Sequence, residues 1–179
     1  STHACCLAPD LIGMGKSEKP EIQYTVFEHI DYFERFIEEL GLDKITLVLH
    51  GWGSVIGFEY ARRHPDKVKA IAFYESHIRP TIDWDMLSLP VQEFANILSD
   101  PEVSYEAIVE KNYILKRLLP SALVDNIDKQ VFKEYEKPFV NIESRKPLWQ
   151  YVLDLPLGEL DSDVVDLIEG YSQWLQQSS

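Results

Sequence analysis

Cysteine is almost absent from this chain: the only two, Cys5 and Cys6, are adjacent. On a strand they would point to opposite faces and make a poor disulfide, so they are expected to be small core residues in a reducing compartment. Cations are also few, with 17 Lys and Arg against 30 Asp and Glu and a formal net charge of -13. That imbalance argues against nucleic acid or an anionic membrane as partner, because both would repel the chain, and it suits a solvated surface. There is no run of about 18 apolar residues and no signal-peptide pattern of basic, apolar and small segments. A soluble, cytoplasmic protein is expected. The five histidines are scattered, and no spacing of Cys, His or carboxylates matches a zinc or calcium site, so no metal is expected.

What is present is enough for a core: 179 residues, 45% of them hydrophobic, which suits one domain or one domain with an insertion. The chain is organised around Ile45 to Ser54, Ile-Thr-Leu-Val-Leu-His-Gly-Trp-Gly-Ser. A β-branched apolar run ends in small residues and passes directly into a helical pattern over Ser54 to His64, which predicts strand, tight turn and helix. That is the shape of a nucleophile elbow, yet the tip, where such a turn presents its nucleophile, is Gly51. Ser54 lies three residues beyond it, in the first helical turn. A G-x-S-x-G serine hydrolase is therefore excluded.

Before the elbow, Ala4 to Ala8 reads as a short buried strand ended by Pro9 and Asp10. The loop Leu11 to Ser17 follows; its glycines imply sharp turns, and it lacks the Gly-Lys-Ser/Thr spacing of a phosphate-binding loop. Pro20 to Tyr24 continues as a surface connection. Thr25 and Glu28 form a capping-box spacing ahead of Ile30, Phe33, Ile37 and Leu40, which predicts a helix that Gly41 ends. Arg62-Arg63-His64-Pro65 closes the elbow helix, and another strand runs from about Val68 to Tyr74. Strands alternating with helices predict a parallel α/β sheet with its functional residues at the carboxyl ends of the strands. After Glu75, prolines punctuate amphipathic helical segments, notably Tyr105 to Leu119 and Asp163 to Gln176, with no clear strand among them. A helical block following an α/β unit is read as a cap over the sheet.

Several motifs in a fixed order then carry a resemblance. They are Leu7-Ala8-Pro9-Asp10-Leu11-Ile12-Gly13-Met14-Gly15-Lys16-Ser17, His50-x-Trp52-Gly53-Ser54, Gly57-Phe58, Arg63-x-Pro65, Ile71 to Glu75 and Ile78-Arg79-Pro80. Trp84-Asp85, Glu136-Lys137-Pro138-Phe139 and Lys146-Pro147-Leu148-Trp149 extend the series over nearly the whole chain. Together they resemble the haloalkane dehalogenases of the α/β-hydrolase superfamily, in the branch whose catalytic acid is a glutamate. The elbow region is also similar to epoxide hydrolases and coelenterazine luciferases, for which Tyr105, Tyr113 and Tyr151 are candidate phenolic donors.

The resemblance implies hydrolysis of small halogenated alkanes to alcohol and halide ion through an alkyl-enzyme ester, with neither metal nor organic cofactor. By position, Gly51 stands where the nucleophilic Asp belongs, Trp52 matches the halide-binding indole, and Glu75 matches the acid partner of a histidine. Trp84, Leu87 and Phe94 are the candidate substrate-pocket residues. His50 is read as structural, and His3, His29, His64 and His77 as ordinary polar histidines. The implied organisation is a partial α/β-hydrolase core over 1–78, a helical cap over 79–170, and 171–179 leading back to the core. Without an aspartate at position 51 the chain is expected to be inactive as written, and a catalytically dead protein binding halide or a small apolar ligand is the rival reading. The family's histidine and second halide donor have no counterpart here, so the remainder of the same fold is an expected requirement.

Overall fold

A computed structural model describes residues 4–80, 92, 94–95, 100–155 and 162–178. Its centre is the predicted strand, β1, Ile45–Gly51, which runs parallel to β2, Val68–Ser76. Parallel neighbours need a crossover, and the helix α2, Trp52–Arg63, supplies it. Leu47 pairs with Ile71 and Leu49 with Phe73 on the face that α2 covers, and Leu47 and Leu49 are buried. The opposite face carries Thr46, Val48 and His50 against Ala70, Ala72 and Tyr74 and is open, with Val48 74% exposed. β2 extends two residues past the predicted end at Tyr74, to Ser76.

The helix α1, Val26–Glu39, starts where the sequence says it should. Thr25 accepts from the Glu28 backbone N–H, and the Glu28 carboxylate accepts from the Thr25 backbone N–H, completing the capping box. A second carboxylate, Asp154, accepts from the Val26 N–H at 2.7 Å, so the distant Lys146–Leu153 helix end is tied to the start of α1. At the other end the Leu42 N–H reaches Ile37 O and the Gly41 N–H reaches Glu38 O, a Schellman closure. Leu40, expected on the buried face, is instead 51% exposed, because the helix ends at Glu39 and Leu40 is its C-cap.

α2 lies unusually close to β1. A Cβ at Gly57 would come within 2.3 Å of the Leu49 side chain, so only glycine permits this approach. The core around it holds Val26, Ile30 and Ile37 of α1, Val55, Ile56 and Phe58 of α2, and Val164, Ile168 and Tyr171 of the Asp163–Gln177 helix. Phe58 joins the layers, its ring 5.2 Å from Phe73 and 5.4 Å from Tyr171. At the C-terminal end of α2, Glu59 is buried and receives hydrogen bonds from Arg62 and Arg63, each at 2.8 Å. Burial acts to raise this carboxyl, but those hydrogen bonds and the two cationic charges outweigh it and hold the group below its ordinary range. Arg63 also reaches Glu34 at 3.3 Å, and His64 pairs with Glu34, which locks α2 to α1.

Three expectations are corrected. Residues 4–8 form no strand; Cys5, Cys6 and Leu7 are exposed, since no strand among the described residues pairs with this segment. Tyr24, expected in a surface connection, is 3% exposed. The predicted helix over Tyr105 to Leu119 is broken: Pro101–Tyr105 leads into a π-helical turn, Glu106–Glu110, and Asn112 then takes a left-handed conformation at φ 57° before Ile114–Leu118 resumes. Asn is one of the few side chains that tolerates that region, which explains the break. No helix among the described residues is long and apolar enough to cross a membrane.

The close approach of α2 to β1 gives a direct test. Gly57→Ala should cost about 1–3 kcal/mol of stability through overpacking against Leu49, measured by urea unfolding. An unchanged midpoint would mean that the helix sits farther from the strand.

Candidate functional site

β1 and β2 end side by side, and the candidate residues collect there. Gly51 closes β1 at φ 50°, ψ -131°, and Trp52 begins α2 at once. This backbone is costly for any residue with a side chain, by about 1–3 kcal/mol. Space is not the obstacle, because a Cβ at Gly51 would meet nothing within 4 Å.

A buried hydroxyl holds the turn. Ser54 Oγ donates to Gly51 O at 2.6 Å and accepts from the His77 backbone N–H at 2.9 Å, so one side chain joins the elbow to the segment leaving β2. The Tyr171 hydroxyl donates to His77 O, extending the tie to the Asp163–Gln177 helix. The sequence gives Ser54 only a helix-start role; its second partner lies beyond β2 and no local pattern shows it.

Trp52 is half-buried among rings. Its indole stacks on Tyr151 at 5.4 Å and 17° and lies 5.4 Å from His77 at a tilt of 39°. Tyr151 in turn stacks on His29 at 4.7 Å. The column His29, Tyr151, Trp52, His77 thus runs from α1 past the elbow, and stacked aromatic neighbours fix the plane in which an indole N–H can point. Burial lowers the His77 imidazole and pushes His29 down to about 4, the latter opposed by the nearby Glu28 charge. Burial drives the Tyr151 phenol well above its ordinary range, with the Asp154 charge adding to the effect. Among the described residues, neither ring nitrogen of His29 nor the Tyr151 hydroxyl has a hydrogen-bond partner. The sequence names Tyr151 only as a candidate phenolic donor and His29 only as an ordinary polar histidine; their contact joins distant parts of the chain.

Glu75 sits at the irregularity that ends the ladder. His50 pairs with Tyr74 and Gly51 with Ser76, leaving Glu75 as the extra residue at φ 44°. A bulge of this kind re-aims its side chain. The Glu75 carboxylate meets His50 Nε2 at 3.1 Å, and the His50 ring stacks on Tyr74 at 4.6 Å. The side chains are 53% and 82% exposed for His50 and Glu75, so the pair is an orienting contact more than a stabilising one. His50 is therefore engaged with the candidate acid.

Phe94 is buried and stacked on Tyr113 at 5.7 Å and 8°. Trp84 and Leu87 lie outside the described residues. No group of three potential metal ligands occurs among the described residues.

The buried His29 makes stability depend on pH. Its imidazole is neutral in the fold and protonates only near pH 4, whereas in the unfolded chain it binds a proton near pH 6.5. The unfolded state holds more protons between these values, so the contribution is present above about pH 6.5 and is lost as pH falls toward 4, by up to about 3 kcal/mol. His77 acts with the same sign. Denaturant unfolding at stepped pH should show a weaker acid loss in His29→Phe than in the parent; identical pH slopes would contradict this burial.

Comparison with known proteins accords with this geometry. Residues 1–95, more than half of the chain, match the family model described as alpha/beta hydrolase fold. The chain is 34% identical to a haloalkane dehalogenase of Bradyrhizobium diazoefficiens over an alignment covering 100% of this chain and 61% of that protein. It is 35% identical to a haloalkane dehalogenase of Mycolicibacterium smegmatis, covering 96% and 57%. Among solved structures, the ancestral haloalkane dehalogenase AncHLD2 superposes with a TM-score of 0.90 at 35% identity, covering 96% of this chain and 60% of that one. DbeA from Bradyrhizobium elkani gives 0.89 at 32% identity, covering 96% and 59%. The chain therefore spans about three fifths of the length of the relatives it matches. With a parallel strand pair, a crossover helix and this match over its first 95 residues, the chain belongs to the α/β-hydrolase fold family.

Proposed function

We propose that the chain is the elbow-bearing part of a haloalkane dehalogenase-like hydrolase in which the nucleophile position is vacant. The observation that carries the proposal is Gly51: a positive-φ turn between strand and helix, with open space where a side chain would project, directly before Trp52. The relatives named haloalkane dehalogenases support the same reading.

In this proposal a carboxylate at position 51 attacks the carbon bearing the halogen. The new carbon–oxygen bond forms an alkyl ester as the carbon–halogen bond breaks, and the halide leaves with the bonding pair. Trp52 donates its indole N–H to the departing halide, an interaction strongest as charge develops. Water then cleaves the ester with the help of a histidine, and Glu75 serves as that histidine's acid partner. The substrate class is small halogenated alkanes, with alcohol and halide as products, and no metal or organic cofactor enters. Residues 1–78 supply the core and elbow, 79–170 a helical cap, and 171–179 the return to the core. Trp84, Leu87 and Phe94 are the substrate-pocket candidates of this reading, and the burial of Phe94 supports its place among them.

Glycine cannot perform the first step, and water does not replace an aspartate whose effective concentration at the substrate is part of the catalysis. Gly51 thus favours a second reading of the present chain, a halide-binding protein without turnover.

Incubation with 1,2-dibromoethane separates these chemistries. The protein as it stands should release no bromide above the uncatalysed rate, whereas Gly51→Asp should release at least one equivalent and gain a bromoethyl ester on residue 51, read by peptide mass spectrometry. Equal release by both forms would overturn the nucleophile assignment. Absence of both bromide and ester from a folded Gly51→Asp protein that carries the remainder of the fold would overturn the dehalogenase reading.

A further inference from the structure

The histidine beside Trp52 has no part in the proposed reaction. His77 follows β2, and both of its backbone polar groups are tied: its N–H donates to Ser54 Oγ at 2.9 Å, and its carbonyl accepts from the Tyr171 hydroxyl. The segment that carries the imidazole is therefore fastened to the elbow, and the ring centre lies 5.4 Å from that of the Trp52 indole. Among the described residues neither ring makes a hydrogen bond. Both side chains are partly exposed. The described polar atoms that are sealed from water without a partner belong to His29, Asn112 and Tyr151, and not to Trp52 or His77. Two donor-bearing rings thus stand together, unpaired, where the strand pair ends.

We infer that His77 is the second halide donor of this site, its imidazolium sharing one halide ion with the Trp52 indole N–H. The inference rests on the halide-binding reading of Trp52 and adds to it a dependence on pH. One neutral N–H is a poor match for an anion leaving water, because the lost hydration must be replaced by charge and further hydrogen bonds. An imidazolium supplies both, with a positive charge and an N–H at each ring position. A monatomic anion accepts from any direction, which suits two rings tilted at 39°. Burial lowers the His77 imidazole, so the empty site is neutral at neutral pH. No charge among the described residues counters that effect. Glu75, two residues earlier, is engaged with His50, and Arg79, two residues later, is exposed. Tyr171 and Tyr151, the titratable groups of the helices packed here, are phenols that burial drives well above their ordinary range. A bound halide favours the protonated imidazole, so halide and proton strengthen each other's binding by the same factor.

Bromide is the probe, titrated into the parent protein at constant ionic strength while ¹H–¹⁵N NMR follows the Trp52 indole N–H. Bromide should bind about tenfold more tightly at about pH 5 than at about pH 8, within the usual range of such couplings. The lower pH stays above the region in which His29 takes up its proton. His77→Phe keeps a ring against Trp52 and removes the charge, and it should bind bromide equally at both pH values. Should that variant not fold, the parent carries the test alone, because saturating bromide should raise the pH midpoint of the His77 imidazole ¹⁵N signals. Bromide affinity that does not change with pH in the parent, a pH dependence that survives in His77→Phe, or an unmoved His77 midpoint would each overturn the proposal. In those cases the Trp52 signal would still respond to bromide, and the halide reading of Trp52 would stand. A Trp52 signal that bromide moves at neither pH would overturn both, so the two failures are distinguishable.

Discussion

The elbow depends on one buried hydroxyl. Ser54 gives its proton to Gly51 O and accepts the His77 N–H, so the positive-φ turn at the end of β1 is fastened to the chain leaving β2. Without the Ser54 hydroxyl, a part-buried carbonyl and a part-buried N–H would both lose this pairing. The Tyr171 hydroxyl on His77 O carries the same constraint to the Asp163–Gln177 helix. Trp52, the next residue, then inherits a fixed direction, and Tyr151 and His77 hold the plane of its ring.

The same geometry explains why glycine sits comfortably at position 51, where the proposed reading expects a carboxylate. Glycine pays no steric penalty at φ 50°, while an aspartate there would store strain that serves to project its side chain. Under the proposed reading, glycine at position 51 removes the chemistry and relaxes the turn together. The rest of the elbow is intact: the strand pair, the close helix contact at Gly57, and the bulge that turns Glu75 toward His50.

Much of this was legible in the sequence wherever the signal was local. The capping box of Thr25 and Glu28, the stop at Gly41 and the β-branched run of β1 each depend on neighbours a few residues away, and each stands where expected. Burial was less legible. Cys5 and Cys6 looked like core residues, but strand formation needs a partner edge, and none among the described residues is offered to them. Leu40 fell on the apolar stripe of α1 and is exposed because the stripe outlasts the helix. At the site, Gly51, Trp52 and Glu75 could be named from the family resemblance, and the structure gathers them at the ends of the two strands. The Ser54 bridge and the His29 and Tyr151 stack could not be read in advance, since each joins segments from separate parts of the chain.

The central claim is that Trp52 is a halide donor beside a vacant nucleophile position. Crystals of the protein soaked in bromide, with anomalous scattering recorded at the bromine edge, test it most directly. The expected result is an anomalous peak within hydrogen-bond distance of the Trp52 indole nitrogen, in the open space beside Gly51. Ordered bromide elsewhere on the molecule, with none at Trp52, would contradict it.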